Sequence, residues 1–182
     1  MTQPRLAPLP RPWPEETAAI LEQMRFDRPE PLKLFRTLAH NPRVLDRVRR
    51  GGLLDKGTLS LRQRELAILR TCARCRAEYE WGVHVAIFAP HTGMGADDIA
   101  ATVQGGPDHG GWNAQEKLIV KLMDSLHEAA AIDDSLWAQL ADQFTAAQII
   151  ELLALAGFYH TISYVVNGLG IDREADAARF PA

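Results

Sequence analysis

The sequence predicts an all-α protein. Signals for helix starts recur along the chain, glycine-containing stop signals follow them, and convincing period-2 alternation of apolar residues is absent. A chain of 182 residues suits one domain with an N-terminal extension. We therefore expect about eight helices, with residues 1–13 forming an N-terminal arm and residues 14–182 a single helical domain.

The first elements are marked by proline. Residues 1–13 contain four prolines and are expected to be extended. Pro14 suits the first turn of a helix that runs to Met24. Asn41 and Pro42 have the residue types of an N-cap and a first helical position, and this second helix is expected to end at Gly51.

Three capping boxes mark later helix starts, because each has a polar cap followed three residues on by Gln or Glu. They are Ser60 with Gln63, Asn113 with Glu116, and Thr145 with Gln148. The helices that they open are expected to reach about Cys72, His127 and Asn167. Two more helices are expected at about 78–90 and 96–103.

The amino-acid composition limits the classes of function that the protein can have. Hydrophobic residues make up 47% of the chain, which is enough for a sizeable core, and the formal net charge is −3. Without a long basic run, nucleic acid is not an expected partner. Because we count no apolar stretch of the roughly 18 to 20 residues that a membrane span needs, we expect no membrane partner and a cytoplasmic location.

The only two cysteines, Cys72 and Cys75, are spaced C-x-x-C. A disulfide between them would close a very small loop, so a structural disulfide is not expected. One such pair is also insufficient for a four-ligand zinc site. A redox pair remains open.

Glu65, His84 and Glu80 are the candidates for proton transfer. Glu65 lies on an otherwise apolar helical face formed by Leu61, Ile68, Leu69 and Cys72. Burial there raises the pKa of a carboxyl group, as proton transfer at neutral pH requires, although an ion pair with Arg62 or Arg70 is the alternative. Glu80 and His84 are i, i+4 neighbours, and the aromatic residues Trp81 and Phe88 lie near the same face. A structural core histidine is the alternative interpretation of His84.

Other polar groups give weaker signals. Glu80 and His84, with Glu65 or with Asp124 and His127, contain metal-ligand types, but no recognised ligand spacing relates them, and no metal is predicted. His160 lies within an apolar helix and is interpreted as a packed core histidine. The polar residues near it, Tyr159, Ser163, Tyr164 and Asn167, suit a pocket wall or a contact between subunits.

Two segments resemble the carboxymuconolactone decarboxylase family, which includes the AhpD-type alkylhydroperoxidases. The first, residues 59–95, contains R-x-x-E-L-A-I-L-R and then E-Y-E-W-G-V-H. The second, residues 144–170, contains F-T-x-x-Q-I-I-E-L and leads into N-G-L-G-I. The resemblance implies an AhpD-like helical domain with a core family segment at about 59–170 and an N-terminal helical extension.

The family's peroxidase members carry C-x-x-C-x-x-x-H after an upstream glutamate that relays protons. By this resemblance His84 matches the motif histidine and Glu65 the relay glutamate, while Ala77 and Glu80 stand where the two cysteines belong. Cys72 and Cys75 lie five residues too early, which rotates them by about 140° around a helix.

The resemblance therefore implies a decarboxylase-like enzyme that performs cofactor-free acid–base chemistry on a small organic acid or lactone. His84 is expected to be the acid, Glu65 or Glu80 to orient it, and Tyr79 and Trp81 to line the substrate pocket. A homo-oligomer, trimer or hexamer, is also implied. Two alternatives remain: a thiol peroxidase using Cys72 and Cys75, and a non-catalytic oligomeric binding module.

Overall fold

A computed structural model describes residues 4–26 and 28–182, and it confirms the all-α prediction. In these residues a short 3₁₀ helix (Ala89–His91) accompanies nine α-helices. The α-helices are α1 (Glu15–Gln23), α2 (Lys33–Leu38), α3 (Pro42–Gly51), α4 (Leu61–Arg74), α5 (Glu78–Ile87), α6 (Ala96–Gln104), α7 (Ala114–Ala129), α8 (Asp134–Gln143) and α9 (Ala146–Leu169).

The predicted helix starts are confirmed at atomic level. The three capping boxes open α4, α7 and α9, each with both reciprocal hydrogen bonds. The side chain of Asn41 accepts a hydrogen bond from the backbone of Val44 at 3.2 Å and caps α3, with Pro42 in its first turn. Local side-chain chemistry therefore determines where these four predicted helices begin.

Two helices were not predicted. Helix α2 has six residues and no side-chain cap, so it carries almost no local signal. Helix α8 is capped by Asp133, whose carboxylate accepts a hydrogen bond from the backbone of Leu136 at 2.7 Å. The predicted end of α5 near residue 90 was also wrong: the helix ends at Ile87, shortly before Pro90 enters the 3₁₀ helix.

Helix α4 is the central element of the fold, and α5, α6, α7 and α9 pack against it. Its residues from Glu65 to Cys72 are all buried. One apolar cluster surrounds α4 on the side of α1–α3, α5 and the C-terminal part of α9, and a second joins it to α7, α8 and the start of α9. Any polar residue in the middle of α4 must therefore find its partners inside the protein.

The turn after α4 and the C-terminal segment fix the position of α5. Arg76 adopts a left-handed conformation with φ 55°, and Ala77 donates a hydrogen bond to the carbonyl of Cys72 at 2.8 Å. The backbone N–H of Ala178 donates to the carbonyl of Gly82 at 3.2 Å, where the missing side chain allows close approach. The C-terminal segment thus covers one side of α5 and leaves another side facing α9.

Helix α9 differs from the sequence-based expectation that no apolar stretch is long enough to span a membrane. It has 24 residues and is long and apolar enough to cross a membrane by length and composition alone, with less than half of its most apolar window buried. A core helix satisfies the same two criteria, and the buried residues of α9 pack against α4 and α5.

The predicted N-terminal arm falls partly outside the described residues, which exclude residues 1–3. Residues 4–13 follow an irregular path along the helices. Arg5 donates its backbone N–H to the carbonyl of Leu169 at 2.8 Å, and Leu9 donates to Arg36 at 3.2 Å. These bonds fasten the segment to α9 and α2.

Candidate active site

Glu65 and His84 form a buried pair between α4 and α5. The Nδ1 atom of His84 lies 2.7 Å from Oε2 of Glu65, and the side chains are 3% and 0% exposed. The glutamate comes from the second turn of the central helix, and the histidine comes from the last turn of α5. The structure therefore brings together the two residues that the sequence proposed as a proton-handling pair.

Glu80 approaches the other nitrogen of the same ring. Its Oε1 atom lies 3.5 Å from Nε2 of His84, one helical turn away in α5. Its Oε2 atom is buried and has no hydrogen-bond partner among the described residues. A buried carboxylate oxygen without a partner is costly, so this atom is suited to accept a hydrogen bond from a bound molecule.

The two carboxylates decide the protonation state of His84. Burial favours the neutral ring, but the charges and hydrogen bonds of Glu65 and Glu80 outweigh burial and raise the pKa of His84 from 6.5 to about 9. At neutral pH the ring is therefore an imidazolium with an N–H directed to each glutamate. In this state His84 is a proton donor rather than a base.

Arg64 completes the pairing of Glu65. Its guanidinium lies 2.9 Å from Oε1 of Glu65 and donates to the carbonyl of Leu54 at 2.8 Å. The alternative prediction, an ion pair of Glu65 with Arg62 or Arg70, was wrong: Arg62 binds Glu116 and Asp98, and Arg70 binds Asp124. Arg64 was missed because the side chains of adjacent helical residues do not normally face each other.

A cavity of about 530 Å³ lies against this cluster, and both Glu80 and His84 are part of its wall. The rest of the lining is mainly apolar and comes from helices far apart in the sequence. It includes Leu34 and Phe35 of α2, Val48 of α3, Val83 of α5 and Ile162 of α9. Arg49, Arg50 and Asp55 supply charged groups. A mostly apolar cavity with a few convergent polar groups is typical of a small-molecule site.

Two aromatic rings hold the imidazole of His84. Tyr159 packs edge-on and Phe88 tilted, each with its ring centroid 5.1 Å from that of His84, and both line the cavity. Burial and the charge of Glu80 raise the pKa of Tyr159 well above its ordinary value, so its phenol keeps its proton. Tyr159 joins the site from α9, 75 positions after His84, and no local pattern identifies that contact.

Tyr79 and Trp81 do not line this cavity as the described residues define it, and their predicted role in the pocket wall was wrong. The hydroxyl of Tyr79 donates to Glu174 at 2.7 Å, and the indole of Trp81 donates to Thr102 at 2.9 Å and packs on Phe180. Both side chains extend from the sides of α5 that face the C-terminal segment and α6.

Neither cysteine forms a hydrogen bond with His84 among the described residues. Cys72 is buried, and burial together with the charges of Glu80 and Cys75 raises its pKa well above the ordinary value. Cys75 caps α4 and is partly buried, which also raises its pKa. The Sγ atom of Cys75 lies 3.8 Å from Nδ1 of His127, and within the described chain both cysteines are free thiols.

The metal-ligand types near His84 in the sequence are not assembled around one ion site. Glu65 and Glu80 contact opposite nitrogens of the ring, so a metal at either nitrogen has only one of them as a neighbour. Asp124 is held by Arg70 in a two-pronged ion pair at 2.7 and 2.8 Å. His127 lies beside Cys75 and His160 instead.

Comparison with known proteins supports the resemblance that the motifs indicated. Residues 41–119, which include Glu65, Glu80 and His84, match the sequence profile of the carboxymuconolactone decarboxylase family. No curated protein matches the chain.

Solved structures show the same fold. An uncharacterized peroxidase-related protein from Silicibacter sp. TM1040 is 18% identical, with a TM-score of 0.80 and 100% of both chains covered. Another, from Ralstonia eutropha JMP134, described as an alkylhydroperoxidase AhpD core, is 15% identical with a TM-score of 0.78 over 96% of this chain and 95% of that one. The debrominase Bmp8, in complex with 2,3,4-tribromopyrrole, is 15% identical with a TM-score of 0.71 over 94% and 92%.

Proposed function

We propose that this chain, whose residues 41–119 match the sequence profile of the carboxymuconolactone decarboxylase family, is a decarboxylase-like enzyme that acts on a small organic acid or lactone. It performs acid–base chemistry with His84 as the proton donor. The supporting observation is the position of this ring, which is cationic, lies between two carboxylates and forms part of the cavity wall.

Each residue of the cluster has a distinct task in this proposal. Glu65 holds Nδ1 of His84 and fixes the ring orientation, and Arg64 holds Glu65. The proton on Nε2 of His84 then faces Glu80 and the cavity. Glu80, with one oxygen unpartnered among the described residues, orients the substrate or accepts a proton from it.

In a decarboxylation the bond between the carboxylate and its neighbouring carbon breaks and CO₂ leaves. The electron pair moves into a conjugated carbonyl group of the substrate and forms an enolate, and Nε2 of His84 delivers its proton to the carbon. The neutral ring regains a proton from water. In the related isomerisation Glu80 takes the first proton and His84 supplies the second, so neither reaction consumes an oxidant or reductant.

The charged groups of the cavity suit an acidic substrate. Arg49 and Arg50 both line it and provide donors for a carboxylate, although each is already paired with Asp46. The apolar remainder of the lining suits a hydrocarbon or ring portion of a small molecule. A binding module without catalysis is less well supported, because the histidine has a cavity beside it.

The thiol peroxidase alternative has weaker support. A peroxidatic cysteine reacts as the thiolate, which needs a lowered pKa and access to solvent. The pKa values of Cys72 and Cys75 are both raised, and Cys72 is buried.

Three further properties belong to the proposal: reaction without a cofactor, a location in the cytoplasm and assembly as a homo-oligomer, trimer or hexamer. The outer face of α9 favours self-association because it exposes large apolar side chains, with Ile150 at 67% and Tyr164 at 70% exposure.

The test is a screen of carboxylated lactones and keto acids for CO₂ release or isomerisation, followed by comparison of wild type, His84→Gln and His91→Gln on any substrate found. His84→Gln is expected to abolish turnover while the helical circular dichroism persists. His91→Gln, at an exposed histidine, is the matched control and is expected to retain activity. Activity retained in His84→Gln contradicts the proposal.

A further inference from the structure

A second cluster of chemically active side chains lies outside the His84 site. It consists of Cys75 at the end of α4, His127 in the last turns of α7 and His160 in the middle of α9. Nδ1 of His127 is 3.8 Å from Sγ of Cys75 and 3.2 Å from Nε2 of His160. The three donor atoms all lie within 4.8 Å of one another, the one such group of three among the described residues.

The tautomer of His160 is fixed by its surroundings. Its Nδ1 atom lies 2.9 Å from the carbonyl oxygen of Ala156, which can only accept a hydrogen bond, so Nδ1 carries the proton. Nε2 therefore presents a lone pair to His127. Metal-bound histidines commonly have this arrangement, in which a carbonyl holds one ring nitrogen and the other binds the ion.

We infer that Cys75, His127 and His160 form a binding site for a thiophilic divalent metal ion, with Zn²⁺ as the best fit. In tetrahedral Zn²⁺ sites with Zn–N of about 2.05 Å and Zn–S of about 2.3 Å, two nitrogens lie about 3.3 Å apart and nitrogen and sulfur about 3.6 Å apart. The observed separations of 3.2 and 3.8 Å are close to these values. The donor set of one thiolate and two imidazoles is one that zinc prefers.

The backbone holds the cysteine where the site needs it. Asn167 of α9 donates a side-chain N–H to the carbonyl of Cys75 at 2.8 Å, and the left-handed Arg76 turns the chain immediately afterwards. Because the ligands come from α4, α7 and α9, a bound ion ties three helices together. Metal binding is therefore expected to stabilise the folded chain.

The charges around the site are compatible with a cation. Arg74 is the positive group nearby, and it is paired with Asp124 at 3.4 Å and Glu128 at 2.6 Å.

Three protein ligands leave a fourth position for water or a small molecule, as in zinc sites that are not purely structural. Neither Glu65, Glu80 nor His84 belongs to this group. The inference is thus independent of the acid–base proposal, and either one can fail without the other.

The experiment is a titration of the full-length, reduced and metal-free protein with Co²⁺, followed by competition with Zn²⁺. Co²⁺ bound to a thiolate in tetrahedral geometry gives intense visible and near-ultraviolet absorption. We expect saturation at one ion per chain, displacement by Zn²⁺ and an increase in the Tm with Zn²⁺. The variants are Cys75→Ser, His127→Gln and His160→Gln.

The matched controls leave the three proposed ligands in place and remove the same residue types at other positions. Cys72→Ala deletes the other thiol, and His40→Gln deletes a histidine outside the cluster. Each ligand variant is expected to lose affinity for Zn²⁺ by at least about 100-fold, and Cys75→Ser also to lose the thiolate absorption. The controls are expected to match wild type. The inference is overturned if Co²⁺ gives no thiolate absorption, or if Cys75→Ser and His160→Gln bind Zn²⁺ like wild type.

Discussion

Nδ1 of His84 lies 2.7 Å from Oε2 of Glu65, and this contact joins two successive helices through groups with almost no exposure to solvent. The ring is cationic at neutral pH because the charges and hydrogen bonds of Glu65 and Glu80 outweigh the effect of burial on its pKa. A charged cluster inside an apolar core makes both the stability and the chemistry of the protein depend on pH.

The free energy of unfolding is expected to fall as the pH rises from about 6.5 to above 9. The pKa of His84 is about 9 in the folded chain and 6.5 in the reference state. A group whose pKa is higher in the folded chain than in the unfolded chain contributes its full stabilisation at pH values below the unfolded pKa. That contribution is lost as the pH rises through the folded pKa. The loss attributable to His84 is about 3 kcal/mol. Urea denaturation at a series of pH values measures it.

His84→Gln isolates this contribution, because every other titrating group is retained. The difference in unfolding free energy between wild type and His84→Gln should shrink across this pH interval. A difference that is constant with pH would show that the ring is neutral in the folded protein. For an active substrate, kcat is expected to decline above pH 9 in wild type, as the acid loses its proton.

Glu65→Gln is expected to destabilise the chain by about 3 kcal/mol, since it leaves Arg64 and His84 without their shared carboxylate. Glu80→Gln is the matched comparison on the other side of the ring and should cost less, because its contact with His84 is longer, at 3.5 Å. Both variants should lower the pKa of His84, which an NMR titration of the ring reports. Equal costs for the two variants would contradict the pairing described here.

The sequence was informative where the determining contacts are local. Capping boxes such as Ser60 with Gln63 depend on residues three apart, and Glu80 and His84 are one turn apart. The motif resemblance supplied the pairing of Glu65 with His84. Tyr159 was one of four residues expected at a pocket wall or a subunit contact, and it does line the cavity. Its position beside His84 and the rest of the cavity wall were not predicted, because they depend on how α2, α3, α5 and α9 pack.

The predictions that were wrong concern side chains whose contacts lie far away in the sequence. Tyr79 and Trp81 are close to His84 along the chain, which suggested a shared pocket. Their direction is instead decided by Glu174 and Phe180, which reach α5 from about 100 positions later. The proximity of His160 to Cys75 likewise depends on the packing of α9 against the end of α4, so the interpretation of His160 as a plain core residue missed its neighbours.

The two cysteines are expected to differ in thiol reactivity. In native, metal-free protein a small alkylating reagent should modify Cys75 before Cys72, because Cys72 is 0% exposed. Wild type and Cys72→Ser should both leave an organic hydroperoxide unconsumed, since the pKa values of the two thiols are raised. Rapid loss of two thiols with hydroperoxide in wild type, restored by a dithiol reductant and absent from Cys72→Ser, would instead establish the peroxidase alternative.

Gly82→Ala is expected to destabilise the chain although alanine is the better helix former. A Cβ atom at Gly82 would lie 2.2 Å from the carbonyl oxygen of Ala178, so the C-terminal segment must move away from α5. We expect a cost of about 2 kcal/mol, typical of overpacking. Gly157→Ala in α9 is the matched control, because its Cβ would meet nothing within 4 Å among the described residues. That variant should gain up to about 1 kcal/mol from helix propensity. Chemical denaturation of both variants measures the contrast, and a stabilised Gly82→Ala would show that the C-terminal segment does not pack closely on α5.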